Sequence, residues 1–118
     1  NPSTSATTFL FEVANNQLIT LGMRVGYRTV TSVGTSSTSD YIIGIGGGNG
    51  DLIYRIHSAS VAGSGSILVV KDENINRTGS IFVSASDGDT IDGESFYKIS
   101  GSAPAINLYS NGSNWFVF

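Results

Sequence analysis

The chain has 118 residues, of which 40% are hydrophobic and 13% are charged, and its formal net charge is −3. This length predicts a single domain covering residues 1–118. The absence of cysteine excludes a disulfide framework and thiolate chemistry, and six scattered lysines and arginines are too few for the basic patch of a nucleic-acid-binding protein. No apolar run approaches the ~20 residues of a membrane helix, so we expect no insertion into a membrane.

The N-terminal third predicts strands separated by polar turns. Residues 8–13 (TFLFEV) and 17–21 (QLITL) are rich in β-branched and aromatic side chains, which are typical of strands. Residues 23–33 alternate between apolar and polar side chains, which predicts a strand with Tyr27 on one face and Arg24 and Arg28 on the other. We expect residues 1–39 to form a β element that is continuous with the rest of the domain.

The centre of the chain contains three more predicted strands. Residues 41–45 (YIIGI) and 52–56 (LIYRI) flank the glycine-rich break GGGNG at 46–50. A loop of small residues, SASVAGSGS, follows at 58–66. Residues 67–70 (ILVV) are four consecutive apolar positions, so we expect a strand that is covered on both faces.

The C-terminal third continues the alternation of short strands and turn signals. Asn111-Gly112 is a strong turn signal, because both residue types tolerate positive φ. No window of the sequence shows the 3.6-residue apolar period of a helix. The pattern of about ten short strands predicts an all-β fold, arranged as an antiparallel β-sandwich or a barrel-like knob. The predicted strands of this third are 81–84, 90–91, 96–99, 105–109 and 115–118.

The glycine-rich segment GIGGGNG (44–50) has the composition of a phosphate-binding loop. However, Asn49 occupies the third glycine position of that motif, and a strand is predicted where the motif needs a helix N-terminus. We therefore interpret the segment as a turn.

An acidic run near residue 90 suggests calcium, which binds clustered carboxylate oxygens. Ile91 nevertheless stands where an EF-hand loop needs an oxygen ligand, and no helices flank the run. We interpret the run as a solvated turn and predict no metal and no cofactor. Its acidic residues are Asp87, Asp89, Asp92 and Glu94.

The single histidine, His57, is the only residue that could serve as the base of a Ser-His-Asp triad. No G-x-S-x-G turn is present to hold a nucleophilic serine. A pair of carboxylates for glycoside hydrolysis stays open, because their separation is a property of the folded chain. We predict that the protein is not an enzyme, with a small polysaccharide-degrading module as an alternative.

The chain ends in an aromatic segment, Trp115-Phe116-Val117-Phe118. Successive side chains of a strand point to opposite faces, so these residues cannot all face one side. We expect both faces to be covered, one of them by a neighbouring subunit. This assigns Trp115, Phe116 and Phe118 a structural role at a trimer interface, with stacking of Trp115 on a sugar as the alternative.

Five phrases occur in a fixed order along residues 40–118, and together they resemble the C-terminal domains of phage tail-fibre, tail-spike and other viral fibre proteins. Residues 1–39 carry no such resemblance. In place of the apolar TITLP strand that is common in that family, this chain has LIYRIHS at 52–58, with larger and more polar side chains. The five phrases are DYIIGI, SASVAGSGS, ILVVKDE, GDTIDG and INLYSNGSNWFVF.

The resemblance implies a homotrimeric β knob at the tip of a virion fibre, where it recognises a host-surface glycan or a protein receptor. A purely structural role in trimerisation or capping of the fibre is the alternative. The receptor-binding candidates lie in the two segments that depart from the family: Arg24, Tyr27 and Arg28 in the first, and Tyr54, Arg55 and His57 in the second.

Overall fold

The computed structural model describes residues 22–118, so the predicted strands at 8–13 and 17–21 lie outside the described residues. In this part of the chain strands predominate and only one helical turn is present, which confirms the all-β prediction. The elements in chain order are β1 (Tyr27–Val30), β2 (Gly34–Thr35), β3 (Ile42–Ile45), β4 (Leu52–Arg55), α1 (Ala59–Ala62), β5 (Ile67–Asp72), β6 (Ile81–Ser84), β7 (Phe96–Ile99), β8 (Ala105–Ser110) and β9 (Trp115–Val117).

The first six strands alternate between two sheets. The first sheet has the order β1-β3-β5-β8-β9 and the second has the order β2-β4-β6-β7. β1, β3 and β5 pair in parallel, and so do β2, β4 and β6. Each consecutive pair of strands therefore forms one circuit of the chain, which we call a stacked turn: β1 and β2 form the first, β3 and β4 the second, and β5 and β6 the third. The second and third stacked turns each pair with the one before.

Antiparallel pairing is confined to the C-terminal strands. β8 pairs with β5, β9 pairs with β8, and β7 pairs with β6. The two sheets are thus mixed, and the prediction of antiparallel sheets was wrong for the stacked turns. The reason lies in the connections: antiparallel neighbours can be joined by a short hairpin, whereas parallel neighbours need a crossover. Here the crossover from β3 to β5 runs through β4 in the opposite sheet.

One hydrophobic core contains side chains from both sheets. In β5, Leu68 and Val70 are fully buried while Ile67 and Val69 are only half-buried, so the strand is less evenly covered than its apolar run predicts. The alternation follows the two-residue period of a strand. The core side chains are Ile43, Ile45, Tyr54, Ile56, Ala59, Leu68, Val70, Ile81, Val83, Ile91, Ile99, Ile106, Leu108 and Trp115.

The turn chemistry agrees with the sequence in most places. The β8–β9 hairpin turns at Asn111-Gly112, where Gly112 has a φ of 94° and the Asn111 side chain accepts backbone N–H bonds from Ser113 and Asn114.

The segment 23–33 forms a shorter strand than predicted. The loop of small residues contains α1, whose first turn is capped by the Ser58 hydroxyl.

β1 and β2, the two described strands that precede residue 40, belong to the same sheets as the strands that follow it, because β1 pairs with β3 and β2 pairs with β4. Among the described residues, no helix is long and apolar enough to cross a membrane.

Candidate binding cleft

Arg28 and Asp40 form a bidentate ion pair beside the first stacked turn. The Arg28 Nε donates to Asp40 Oδ1 at 3.0 Å, and Nη2 donates to Oδ2 at 2.7 Å. The Arg28 side chain is 46% exposed, whereas that of Asp40 is 5% exposed. The hydrogen bond from Arg28 is the main reason why the pKa of Asp40 lies below its usual value, with burial acting in the opposite direction. The buried carboxylate thus holds an accessible guanidinium in one orientation.

A local turn presents the Asp40 carboxylate to Arg28. The Asp40 N–H donates to the Ser37 carbonyl at 3.0 Å, and the Ser37 N–H donates back to Asp40 Oδ2 at 2.8 Å. Serine and aspartate favour such turns because their side chains bond to nearby backbone groups. The segment between β2 and β3 therefore has a definite conformation at Ser37 and Asp40.

Arg28 also links the two sheets. Its Nη2 donates to the Tyr54 hydroxyl at 3.2 Å, so a guanidinium from β1 in the first sheet meets a phenol from β4 in the second. The Tyr54 ring is fully buried, and burial is the main reason why its pKa is raised. Two of the six predicted binding residues are therefore brought together, although they are far apart in sequence.

Arg28 and Tyr54 line a polar cleft of about 450 Å³ along the connection from β1 to β2. The remaining lining includes several hydroxyl side chains, which can both donate and accept hydrogen bonds. We call this the β1–β2 cleft. Its lining residues are Arg28, Thr29, Val30, Thr31, Ser32, Val33, Gly34, Thr35 and Tyr54.

His57 follows β4 and forms an internal polar contact. Its Nδ1 is 2.7 Å from the Ser36 hydroxyl, which also accepts the His57 backbone N–H at 2.9 Å. The imidazole also meets the Trp115 ring edge-to-face, with 5.4 Å between centroids, and the Trp115 indole N–H donates to the His57 carbonyl at 3.0 Å. His57 thus connects the segments that follow β2 and β4 with β9 inside the domain.

Ser36, His57 and Asp40 do not have the geometry of a catalytic Ser-His-Asp triad. Ser36 and His57 are 4% and 9% exposed, so the serine hydroxyl is hidden from a substrate. The Asp40 carboxylate accepts hydrogen bonds from Arg28 and Ser37, whereas the Nδ1 atom of His57 pairs with Ser36. Ser36 and His57 therefore form a structural link between two segments of the chain.

The buried imidazole makes the stability of the domain depend on pH. Burial lowers the pKa of His57 below its ordinary 6.5, despite the opposing charge of Asp40. Below pH 6.5 the unfolded chain binds a proton more readily than the folded chain, so we expect the free energy of unfolding to fall as the pH decreases from 7.5 towards 5. Urea unfolding at several pH values measures this.

The single histidine of the sequence provides a direct control for that experiment. In His57→Gln the slope between pH 7.5 and pH 5 should largely disappear, because the pKa of Asp40 is lowered by its bond to Arg28 and its titration affects stability at more acid pH. An unchanged slope in the variant would contradict the assignment to His57.

Besides His57, three predicted binding residues lie outside the β1–β2 cleft. Arg24 is exposed and precedes β1. Tyr27 is exposed on the first sheet, and its hydroxyl donates to Glu73 at 2.9 Å, which raises the pKa of the phenol. Arg55 is exposed on the second sheet. The six predicted residues therefore do not form one surface, and two of them, Tyr54 and His57, offer little or no accessible area.

The glycine-rich loop is organised around a guanidinium that the sequence reasoning missed. Arg77 donates from Nη1 to the carbonyls of Gly48 and Gly50, and from Nη2 to that of Gly46, each at 2.8 Å. Its Nε donates to Asp72 at 2.9 Å, and both side chains are 2% exposed. The backbone carbonyls of this loop bind the Arg77 cation, whereas the backbone of a phosphate-binding loop presents N–H groups to an anion.

The acidic run contacts the backbone through two of its members. Asp89 accepts the Ala59 N–H at 2.7 Å, and Asp92 accepts the Val117 N–H at 3.1 Å. No group of acidic and histidine side chains in residues 22–118 is arranged to hold a metal ion.

The C-terminal aromatic residues separate into one core residue and two on the surface. Trp115 is fully buried within its own chain, so it offers no surface to another subunit. Phe116 is half-buried and Phe118 is 61% exposed, and both contact Tyr109, with ring centroids at 5.6 and 5.9 Å. A subunit contact in this region would therefore use the surface rings and not Trp115.

Comparison of the chain with known protein families, curated proteins and solved structures gave no match. The resemblance to viral fibre tips thus rests on the ordered phrases of the sequence.

Proposed function

We propose that this chain is a non-enzymatic attachment domain at the tip of a virion fibre, and that it binds a host-surface saccharide as a homotrimer. The observation that supports this most directly is the β1–β2 cleft, in which a guanidinium is fixed in place among hydroxyl groups. The ordered phrases of the sequence supply the fibre context, and the β scaffold supplies a rigid support for the ligand-binding loop.

The chemistry of the cleft suits a saccharide. Sugar hydroxyls need paired donors and acceptors, and the cleft offers guanidinium N–H groups together with the hydroxyls of Thr29, Thr31 and Ser32. Asp40 already orients Arg28, so little side-chain entropy is lost when a ligand binds. The volume of about 450 Å³ lies within the range of small-ligand sites.

Weak binding at one cleft is compatible with attachment if three clefts act together. Linked sites raise the overall avidity by about 10²–10⁴ when they engage one surface simultaneously. A trimer at a fibre tip would present three copies of the cleft to the host surface.

A second candidate, trimerisation and capping of a fibre without recognition, is favoured by a different observation. The surface rings of Tyr109, Phe116 and Phe118 form a contiguous aromatic cluster. Clusters of this kind mark protein contacts, and they do not depend on the cleft.

Saccharide binding is tested by substitution within the cleft. We expect Arg28→Ala to weaken binding of a host saccharide by about 10-fold or more, because hydrogen bonds to charged groups contribute ~1.5–3 kcal/mol. Glycan-array screening identifies the saccharide, and saturation-transfer NMR measures the affinity. Arg24→Ala, an exposed arginine outside the cleft, should leave the affinity unchanged.

Removal of Arg28 leaves the buried Asp40 carboxylate without its cation, which destabilises the fold. A second variant therefore tests the cleft while keeping this ion pair. Ser32→Trp fills the cleft from an exposed position and should abolish binding while leaving the melting temperature near that of the wild type. Full affinity in both variants would refute the cleft as the site, and the capping role would then be preferred.

A further inference from the structure

Arg28 can offer only one of its guanidinium nitrogens to a ligand in the β1–β2 cleft. A guanidinium has five N–H groups, one on Nε and two on each Nη. The Nε group and one Nη2 group donate to the Asp40 carboxylate, and Nη2 also donates to the Tyr54 hydroxyl at 3.2 Å. Within residues 22–118, Nη1 forms no hydrogen bond. The side chain lines the cleft and is 46% exposed, so the two N–H groups of Nη1 are the ones that a ligand can use.

This arrangement excludes the usual way in which arginine binds an anion. A carboxylate or a phosphate bonds two guanidinium nitrogens at once, through the fork of Nε and Nη2 or the fork of Nη1 and Nη2. Both forks include Nη2, whose N–H groups are directed to Asp40 and Tyr54. Asp40 is itself bound by the Ser37 N–H at 2.8 Å, and its side chain is only 5% exposed, so it keeps its place when a ligand enters. An anionic ligand would therefore reach Arg28 through a single nitrogen.

The charge of Arg28 is compensated by its own partner. The hydrogen bond between the two side chains lowers the pKa of Asp40 and raises that of Arg28, so both are ionised at neutral pH and their charges sum to zero. Arg28 is the one charged member of the described cleft lining. Other charges in the neighbourhood occur with both signs. They are Asp51, directly before β4, and Arg55, at its end, together with Lys71 and Glu73 on the outer face of the first sheet.

We propose that the β1–β2 cleft selects an uncharged saccharide and discriminates against saccharides that carry a carboxylate or a sulfate. This inference rests on the proposed saccharide-binding function and names the chemical class of its ligand. The oxygens of two neighbouring sugar hydroxyls can accept the two N–H groups of Nη1, and the hydroxyls of Thr29, Thr31 and Ser32 can serve as donors or acceptors to others. An anion gains no net attraction from a pair of cancelling charges, and it loses hydration when it enters the cleft.

Asp40 is then a positioning residue that determines specificity, although it does not belong to the cleft lining. Its carboxylate occupies the Nε and Nη2 fork of Arg28 and cancels the charge of the guanidinium. Without the charge of Asp40, Arg28 would present an uncompensated cation and a fork that a ligand carboxylate can compete for. Those are the features by which arginine recognises carboxylates.

Sugar pairs that differ in one group test the selectivity of the wild-type protein. Glucose with glucuronate, galactose with galacturonate, and mannose with mannuronate differ only in a carboxylate that replaces the C6 hydroxymethyl group. In saturation-transfer NMR titrations, we expect each uronate to bind no more tightly than its neutral partner. The affinity for the neutral sugar should change by less than about twofold between about 50 and 500 mM salt, because its binding neutralises no charge. A uronate that binds about threefold or more tightly than its partner, with an advantage that salt removes, overturns the proposal.

The variant Asp40→Asn tests whether Asp40 sets this selectivity. Asparagine has nearly the same shape and can still accept the Ser37 N–H, but it leaves the charge of Arg28 uncompensated. We expect the ratio of uronate affinity to neutral-sugar affinity to rise by about fivefold or more. Asp87→Asn is the matched control, because it removes the same charge from an exposed turn outside the cleft lining, where asparagine tolerates the φ of 55°. This control should leave the ratio unchanged.

The outcomes separate this inference from the proposed function. If the folded Asp40→Asn protein keeps the wild-type ratio, the role of Asp40 is refuted, and if the variant does not fold, the wild-type titrations decide the selectivity by themselves. Binding that favours the uronates, and that Arg28→Ala abolishes, refutes only this inference, since the cleft then still binds a saccharide. Binding of neither member of any pair, together with a glycan array that shows no signal, refutes the proposed function and this inference with it.

Discussion

Replacement of Arg77 by methionine should lower the free energy of unfolding by about 3–5 kcal/mol, the usual cost of breaking a buried ion pair by removing one partner. The variant leaves the Asp72 carboxylate in the interior without its cation. It also leaves the carbonyls of Gly46, Gly48 and Gly50 without the donor that now bonds them. Small domains have only about 5–15 kcal/mol of stability, so this loss is severe.

The loss follows from how the stacked turns are joined. The loop after β3 and the loop after β5 lie on successive turns, and Arg77 bonds the first loop from a position in the second. Asn74 adds bonds from the same side, to Gly47 at 2.8 Å and to Gly48 at 3.1 Å. Without the guanidinium, we expect the glycine-rich loop to lose its fixed conformation.

Urea unfolding measures the effect, and two variants control it. Arg24→Met removes an exposed arginine and should cost less than about 0.5 kcal/mol, as most surface changes do. Arg77→Lys retains the charge but not the planar fork that reaches several acceptors, so its loss should be intermediate. Equal stability of Arg77→Met and Arg24→Met would contradict the role of Arg77.

Replacement of Trp115 by alanine should lower the free energy of unfolding by about 3–5 kcal/mol, as expected for a large ring removed from a packed core. Trp115 is the largest fully buried side chain among the described residues. Its truncation would open a cavity next to His57 and leave the His57 carbonyl without its indole donor. The cost therefore arises within one chain and does not require a neighbouring subunit.

Graded substitutions separate the cavity from the hydrogen bond. Trp115→Phe keeps most of the ring and loses the N–H, so we expect a loss of about 1–3 kcal/mol, the usual range for an unsatisfied buried group. Phe118→Ala truncates an exposed ring and should change the stability of the isolated chain little. If Trp115→Ala changed only the oligomeric mass and not the unfolding of the single chain, the core assignment would be wrong.

Several features of the fold were accessible from residue patterns. The β-branched runs predicted most of the strands among the described residues, since strand formation depends on local shape and on the two-residue period of burial. The hairpin at Asn111-Gly112 was predicted for a similar reason, because positive φ is a property of the residues themselves. The one helical turn, α1, was missed because four residues are too few to show a 3.6-residue period.

The composition of the candidate cleft was predicted only in part. Arg28 and Tyr54 were both chosen as binding residues, but nothing in the sequence shows that they meet across two sheets. Asp40 was not chosen, although it orients Arg28. A pair of opposite charges twelve positions apart is a weak signal, because such pairs occur throughout a chain and only folding selects one.

By itself, the sequence determined that the protein is built of short strands and where several of its turns lie, because both depend on the conformational preferences of single residues and their neighbours. Only the tertiary structure decided that the first six strands stack in parallel through alternating sheets, since a turn signal does not reveal which strand a segment will pair with. It also decided that Arg77 fills the glycine-rich loop and that Trp115 lies inside its own chain. Both contacts join residues that are distant in sequence, and their energies depend on burial that exists only in the folded chain.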